Sequence, residues 1–318
     1  MAAQVKNRPQ RGFSLIELMI ALVLGLFIIG GVLAVFIGSS ASFNSNESLS
    51  RVQENGRFAL EILAEDLRNT GNKGLCWNSV VDVINTADSD YEADAYDLND
   101  PIKGWTDDAG TFFDGTLNGY KAGTDLFLVK HAAETSDASL SVDIVKTDTT
   151  FTINGGVVSG AIMLLSDAAG CDLFQNTAAL NSSTMARATG GGVTIGNKTV
   201  AAQELSHDYS VSSGNIVEIS KLSSTLYYIG SGTTTANALR GMSFDYGVAS
   251  DQELVEGVTD MSVLYGIVSG AGPALGYSAD ANGGNWDDVV AVRVTLIVED
   301  GDINQNFSTT VALRNRLR

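Results

Sequence analysis

From Phe13 to Ile37 the chain runs 25 residues with Glu17 as its only ionisable side chain. That is long enough for a helix to span the ~30 Å hydrocarbon core of a bilayer. After a polar patch from Ser39 to Ser48, apolar residues return at Leu49, Val52, Ala59, Leu60, Leu63 and Leu67, the offsets of one face at helical period. The other face carries Arg51, Glu54, Arg57, Glu61, Glu65 and Arg68, with Glu47 and Arg51 a favourable i, i+4 pair. Gly71, flanked by Asn69 and Asn72, reads as the stop. The pattern predicts one helix from Phe13 to about Asn69, ~85 Å long at 1.5 Å per residue, half apolar all round and half amphipathic.

The pattern then changes period. From Gly74 to about Tyr120 the chain is irregular and acidic. Short strand signals follow at Asp125–His131, Ser141–Lys146, Val157–Leu165, Ile216–Lys221 and Thr225–Ile229. Between them, Ala178 to Thr199 is small, polar and glycine-rich, and reads as an exposed excursion in which disorder is expected. The last third is the most regular: Leu239–Tyr246, Asp260–Val268, Asp288–Val298 and Phe307–Leu313 read as strands, the last two as a hairpin around Gly301. The fold class is α+β, a long N-terminal helix whose amphipathic half lies on an antiparallel β-sheet head. The expected divisions are a leader at 1–12, an apolar helix at 13–38, its amphipathic half at 39–70 and a β-rich head at 71–318.

Charge changes the picture in two places. Lys6, Arg8 and Arg11 precede the apolar run, so the positive-inside rule puts the N-terminus in the cytoplasm and the head across the membrane. A secretory signal would have a shorter apolar region followed by a small-residue cleavage site. The net charge of −18 becomes −21 without residues 1–12, a surface that repels phosphate backbones and argues against nucleic acid as a partner. Arg314 to Arg318, with three arginines, is the one basic cluster and reads as a solvated end.

The candidate chemistry is sparse. Cys76 and Cys171, both on the far side of the membrane, are either one disulfide or two buried thiols. Acidic loops offer oxygen ligands for calcium, with Asp280, Asn282, Asn285, Asp287 and Asp288 the candidate set, but no EF-hand spacing occurs and such loops on an acidic protein are usually just solvated. No cofactor is otherwise implied. With two histidines, no phosphate loop and Ser206, His207 and Asp208 only neighbours in sequence, nothing points to an enzyme.

Gly12-Phe13-Ser14-Leu15-Ile16-Glu17, behind a basic leader and ahead of an apolar helix, resembles the class III signal of type IV pilins and type II secretion pseudopilins. The resemblance implies cleavage after Gly12 by a membrane prepilin peptidase and methylation of the new amino terminus on Phe13. It also implies that Glu17 pairs with the terminal amine of a neighbouring subunit. On the residues alone, Glu17 has a second reading, a carboxylate near the headgroups one helical turn beyond Phe13. Arg51 to Asn72, and the closing pattern Leu254–Tyr265, Trp286–Val298 and Thr309–Arg314, resemble the PilW-type minor pilins, and the closing part is also similar to minor pseudopilin J. What these resemblances imply is a minor pilin held in the inner membrane by a single pass, with other minor pilins and the major pilin as partners. It would prime pilus assembly and sit at or near the tip of a cell-surface fibre. The alternatives are a pseudopilin of a type II secretion machine and a membrane-anchored adhesive head. Unlike many type IV pilin helices, this one has no proline between Pro9 and Pro101.

Overall fold

The computed structural model describes residues 12–107, 115–134, 138–180, 182–190, 192–268, 275–280 and 285–316. Helix α1 is Leu15–Asn69, a single 55-residue element. Thr70 closes its last turn on Asp66, and Gly71 follows at φ +78°, the left-handed stop that lets the chain leave the helix. The chain divides after Arg51 into two compact units. In the first, the side chains of the apolar run are exposed, with Phe13 at 89 % and Phe27 at 76 %. This stretch of α1 is long and apolar enough to cross a membrane.

The second unit begins with the rest of α1. The strands that follow among the described residues are β1 (Val81–Asp82), β2 (Ile102–Trp105), β3 (Leu126–Glu134), β4 (Ser139–Leu140), β5 (Thr150–Asn154), β6 (Ile162–Ser166), β7 (Cys171–Gln175), β8 (Thr184–Ala186), β9 (Glu218–Ser231), β10 (Asn237–Ser243), β11 (Ser250–Glu256), β12 (Val258–Val268), β13 (Leu275–Ser278), β14 (Val289–Asp300) and β15 (Ile303–Ala312). A one-turn helix α2 (Ala93–Tyr96) lies between β1 and β2.

Strand β9 is the hub of an eight-stranded sheet. One of its edges pairs β3 antiparallel along 220–227, and the other pairs β6 along 218–221 and β10 along 225–231. Strands β2, β7 and β11 extend those neighbours antiparallel, and β1 adds to β7 in parallel. A second sheet, in the order β13-β12-β14-β15, is antiparallel throughout, and β4, β5 and β8 form a small third one.

Both faces of the large sheet are buried, which is why β3 is buried without alternation from Leu126 to Ala132, Lys130 and His131 included. On β3, Phe127 and Val129 face a core shared with α1 and the second sheet, while Leu126 and Leu128 face a core containing α2 and the disulfide. The first core takes Val52, Ala59, Leu63, Ala64 and Leu67 from α1, so the amphipathic half of the helix packs on antiparallel sheet. A third core lies under the small sheet, around Phe151, Phe174, Met185 and Tyr209.

Three sequence expectations are corrected. Ile216–Lys221 and Thr225–Ile229 are one 14-residue strand, because Ser223 and Ser224 continue the ladder to β3 and the Ser224 hydroxyl donates to the Ala95 carbonyl oxygen at 2.6 Å. Ser141–Lys146 is not a strand. Ile144 makes only an isolated antiparallel bridge to Tyr209, and side chains take the donors beside it: Val145 N–H donates to Asp148 and Lys146 N–H to Asp208, while Asp143 accepts from Val211 and Ser212. Ala178–Thr199 is not an exposed excursion throughout. It contains β8, and Met185, Arg187, Ile195 and Asn197 are buried. The Arg187 guanidinium donates to three backbone carbonyls, those of Asp148, Lys146 and Gln203, tying three loop segments together. Burial pulls its pKa down from the ordinary arginine value.

Candidate functional site

The site built from the sequence upward is the start of α1. Ser14 precedes the first helical residue, and its hydroxyl accepts from the Glu17 N–H at 3.3 Å. The Glu17 carboxylate reaches back to accept from the Ser14 N–H at 3.1 Å and the Ser14 hydroxyl at 3.2 Å. This is a capping box, serine at the N-cap and glutamate three residues on, satisfying two of the donors that a helix start leaves without partners. Glu17 therefore has a partner within its own chain. The spacing Ser-x-x-Glu carries that signal in the sequence, where it is overlaid by the peptidase-like motif. Gly12 and Phe13 lie just ahead of the box, Phe13 open to solvent. Residues 1–11 of the leader lie outside the described residues.

The amphipathic half of α1 is fixed to the head by apolar contact and by one polar centre. Gly56 lies against the ring of Phe307 on β15, so closely that a Cβ added to it would sit 2.6 Å from the ring Cζ. Farther along, Asp66 of α1 accepts from two residues of the large sheet, the His131 Nε2 at 2.7 Å and the Tyr227 hydroxyl at 2.8 Å. Burial pulls the His131 imidazolium down, but the Asp66 carboxylate lifts it by hydrogen bond and charge, and the net direction is upward from the ordinary value of 6.5. The Asn315 side chain donates to the Asn69 and Thr70 carbonyls at 3.2 and 3.3 Å, satisfying acceptors at the helix end.

Cys76 and Cys171 form a disulfide, with Cα atoms 5.8 Å apart. Cys171 opens β7 opposite Ser166 of β6, and the turn between them is braced by the loop carrying Ser206, His207 and Tyr209. There the sequence neighbours do touch. Ser206 Oγ lies 2.8 Å from His207 Nδ1, and His207 Nε2 lies 3.0 Å from both oxygens of Asp167. The Ser206 hydroxyl, however, donates to the buried carboxylate of Asp172 at 2.7 Å, which also takes the Tyr209 hydroxyl at 2.6 Å. Asp208 points elsewhere, to the Lys146 N–H. The arrangement commits the serine proton to a carboxylate and fastens a loop to a hairpin.

Of the oxygen-ligand set, Asn282 lies outside the described residues. Asp287 takes the Arg316 guanidinium at 3.3 Å, and Asp288 takes the Asn285 amide at 2.5 Å. Among the described residues, no group of three or more His, Cys, Asp or Glu side chains gathers where it could hold a metal ion.

Residues 7–33 match the prokaryotic N-terminal methylation motif. Residues 226–315, from the second half of β9 to the turn after β15, match the Type IV Pilus-assembly protein W family. These two matches, to the start and to the closing part of the chain, support a type IV pilus-related pilin similar to the PilW-type minor pilins, a family of structural assembly proteins. The matches imply contact with other pilus components and recognition by a prepilin peptidase. No curated protein and no solved structure matches the chain.

Proposed function

We propose that this chain is a minor pilin of a type IV pilus. It waits in the inner membrane with its N-terminus in the cytoplasm, is cut after Gly12 and methylated on Phe13, and enters the fibre through α1. The observation that carries the reading is the match of residues 7–33 to the methylation motif at the head of an exposed apolar helix. A carboxylate at the centre of a membrane helix costs ~2.5–3.5 kcal/mol, less toward the headgroups, and Ser14 supplies Glu17 with hydrogen-bond partners in the lone subunit. On cleavage a neighbour's amine becomes a competing partner of opposite charge, and such a buried pair specifies alignment more than it adds stability.

The head spans 71–318, large for a unit repeated along a tightly packed shaft. Its bulk supports a place at or near the tip, among other minor pilins that prime assembly. Sheared fibres analysed by mass spectrometry test the reading: an N-terminal peptide beginning at methylated Phe13 is the expected result, and fibres containing the chain with residues 1–12 still attached would overturn it. Glu17→Gln, which keeps the helix start hydrogen-bonded and removes the charge, is expected to leave membrane insertion intact and abolish incorporation. The methylation motif also fits a pseudopilin, and a deletion strain losing secretion rather than pili would identify that machine.

A further inference from the structure

The two sheets end in strands of opposite character. Strand β11, the edge of the large sheet, carries Asp251, Glu253 and Glu256 and meets β10 through a register shift at Leu239/Arg240. Charge and irregularity of this kind keep an edge from pairing with another chain. Strand β15, the edge of the second sheet, has neither: Ile303–Ala312 holds no charged residue and no proline, and runs in unbroken register with β14 from Asp300↔Ile303 to Ala291↔Ala312. In a chain with 37 acidic residues, an uncharged ten-residue edge stands out.

Its backbone is open on one side. The turn Gly301–Asp302 closes on the Asp300–Ile303 pair, so Asn304, Asn306, Ser308 and Thr310 direct their N–H and C=O groups away from β14. Among the described residues no backbone group bonds to that outer side. The side chains at these positions are exposed and neutral, whereas Phe307 and Val311 pack inward with the α1 core.

Charge flanks the strand with opposite signs at its two ends. Asp302 precedes it and Arg314 follows it, both exposed and both six residues from Ser308. We propose that β15 pairs antiparallel with β15 of a second copy, about a two-fold axis at Ser308. In that register Asp302 of each copy meets Arg314 of the other. Ser308 faces its own counterpart, and Asn306 faces Thr310 with no charge in conflict. The same register places the outward-directed groups of Ser308 opposite one another, as a hydrogen-bonded antiparallel pair requires. A single strand pair is smaller than a standard interface, so the association is weak and concentration-dependent.

The pairing also has a sense. Asn55 and Gly56 of α1 lie by Glu256 and Phe307, and Asn69 lies by Asn315, so residues 52–69 run in the same direction as β15. The two-fold reverses them, and the contact joins heads of oppositely directed copies rather than neighbours in a parallel bundle of helices.

Position-specific disulfide trapping of the full chain in detergent tests this, since both native cysteines are already bonded to each other. Ser308→Cys is expected to form a covalent dimer on mild oxidation, well above Gln252→Cys, an equally exposed position on the charged edge β11. Reversing either Asp302→Arg or Arg314→Asp, in the Ser308→Cys background, is expected to weaken association about tenfold. The double reversal is expected to restore it. Trapping of Ser308→Cys no greater than that of Gln252→Cys, or a double reversal no better than the single ones, would overturn the proposal.

Discussion

Replacing Gly56 by alanine tests how α1 is seated on the head. In isolation the change favours the helix by about 1 kcal/mol, because glycine in a helix interior loses more backbone entropy than alanine. Here the new Cβ would lie 2.6 Å from Phe307 Cζ, with ordinary contact beginning nearer 3.4 Å, so the helix or the ring has to move by most of an ångström. Overpacking of a fitted core costs ~1–3 kcal/mol. The two effects oppose each other, and the expected net result is a loss of up to about 2 kcal/mol. Phe307→Ala removes the obstruction. In that background Gly56→Ala is expected to change sign and stabilise by about 1 kcal/mol, giving a coupling energy of ~1–3 kcal/mol between the two positions. Denaturant unfolding of the four proteins of the cycle, followed by near-ultraviolet circular dichroism of the head, measures it. If Gly56→Ala stabilises equally with and without the Phe307 ring, close seating of the helix on β15 is wrong.

Two further outcomes follow from the polar centre and the crosslink. His131 has its pKa raised in the folded protein, so its contribution is complete below the unfolded value of about 6.5 and is lost as pH rises through the folded value. The thermal midpoint of the wild type should exceed that of His131→Gln most at pH 5.5, with the gap narrowing by pH 8.5, and a gap independent of pH would refute the Asp66 pairing. Replacing Cys76 and Cys171 together by serine releases a 95-residue separation and should lower stability by ~4–5 kcal/mol in the loop-entropy account. An unchanged urea midpoint would show that the crosslink restricts the unfolded chain far less than that.

What could be read in advance depended on whether local pattern and tertiary role agreed. Val52, Ala59, Leu63 and Leu67 repeat at helical spacing and are buried as a face of α1, and the β14–β15 hairpin announces itself through Gly301 between two strand-like runs. The failures fall where polar residues have internal partners. Ser223 and Ser224 look like a break, yet they lie inside β9 in register with β3, the Ser224 N–H taken by the Asp245 carboxylate. Asp143 and Asp148 draw backbone donors out of a would-be strand. Arg187, in a glycine-rich stretch with no regular pattern, is buried by carbonyls contributed from distant turns. Strand β11 went unread because acidic side chains suit an edge as well as they suit a loop. At the candidate site, Gly12, Phe13 and Glu17 were legible as a motif, whereas the bond from Glu17 back to Ser14 belongs to ordinary helix-end chemistry and was hidden beneath it.

The short loop of bonds between Ser14 and Glu17 bears on what would drive the proposed assembly. Under the proposed function, a solitary copy in lipid has its acid hydrogen-bonded but still charged, so joining a fibre would exchange neutral donors for an amine of opposite charge. On that reading the tight fit of the greasy flanks would gather the copies, and the carboxylate would act as a latch that fixes the step from one copy to the next.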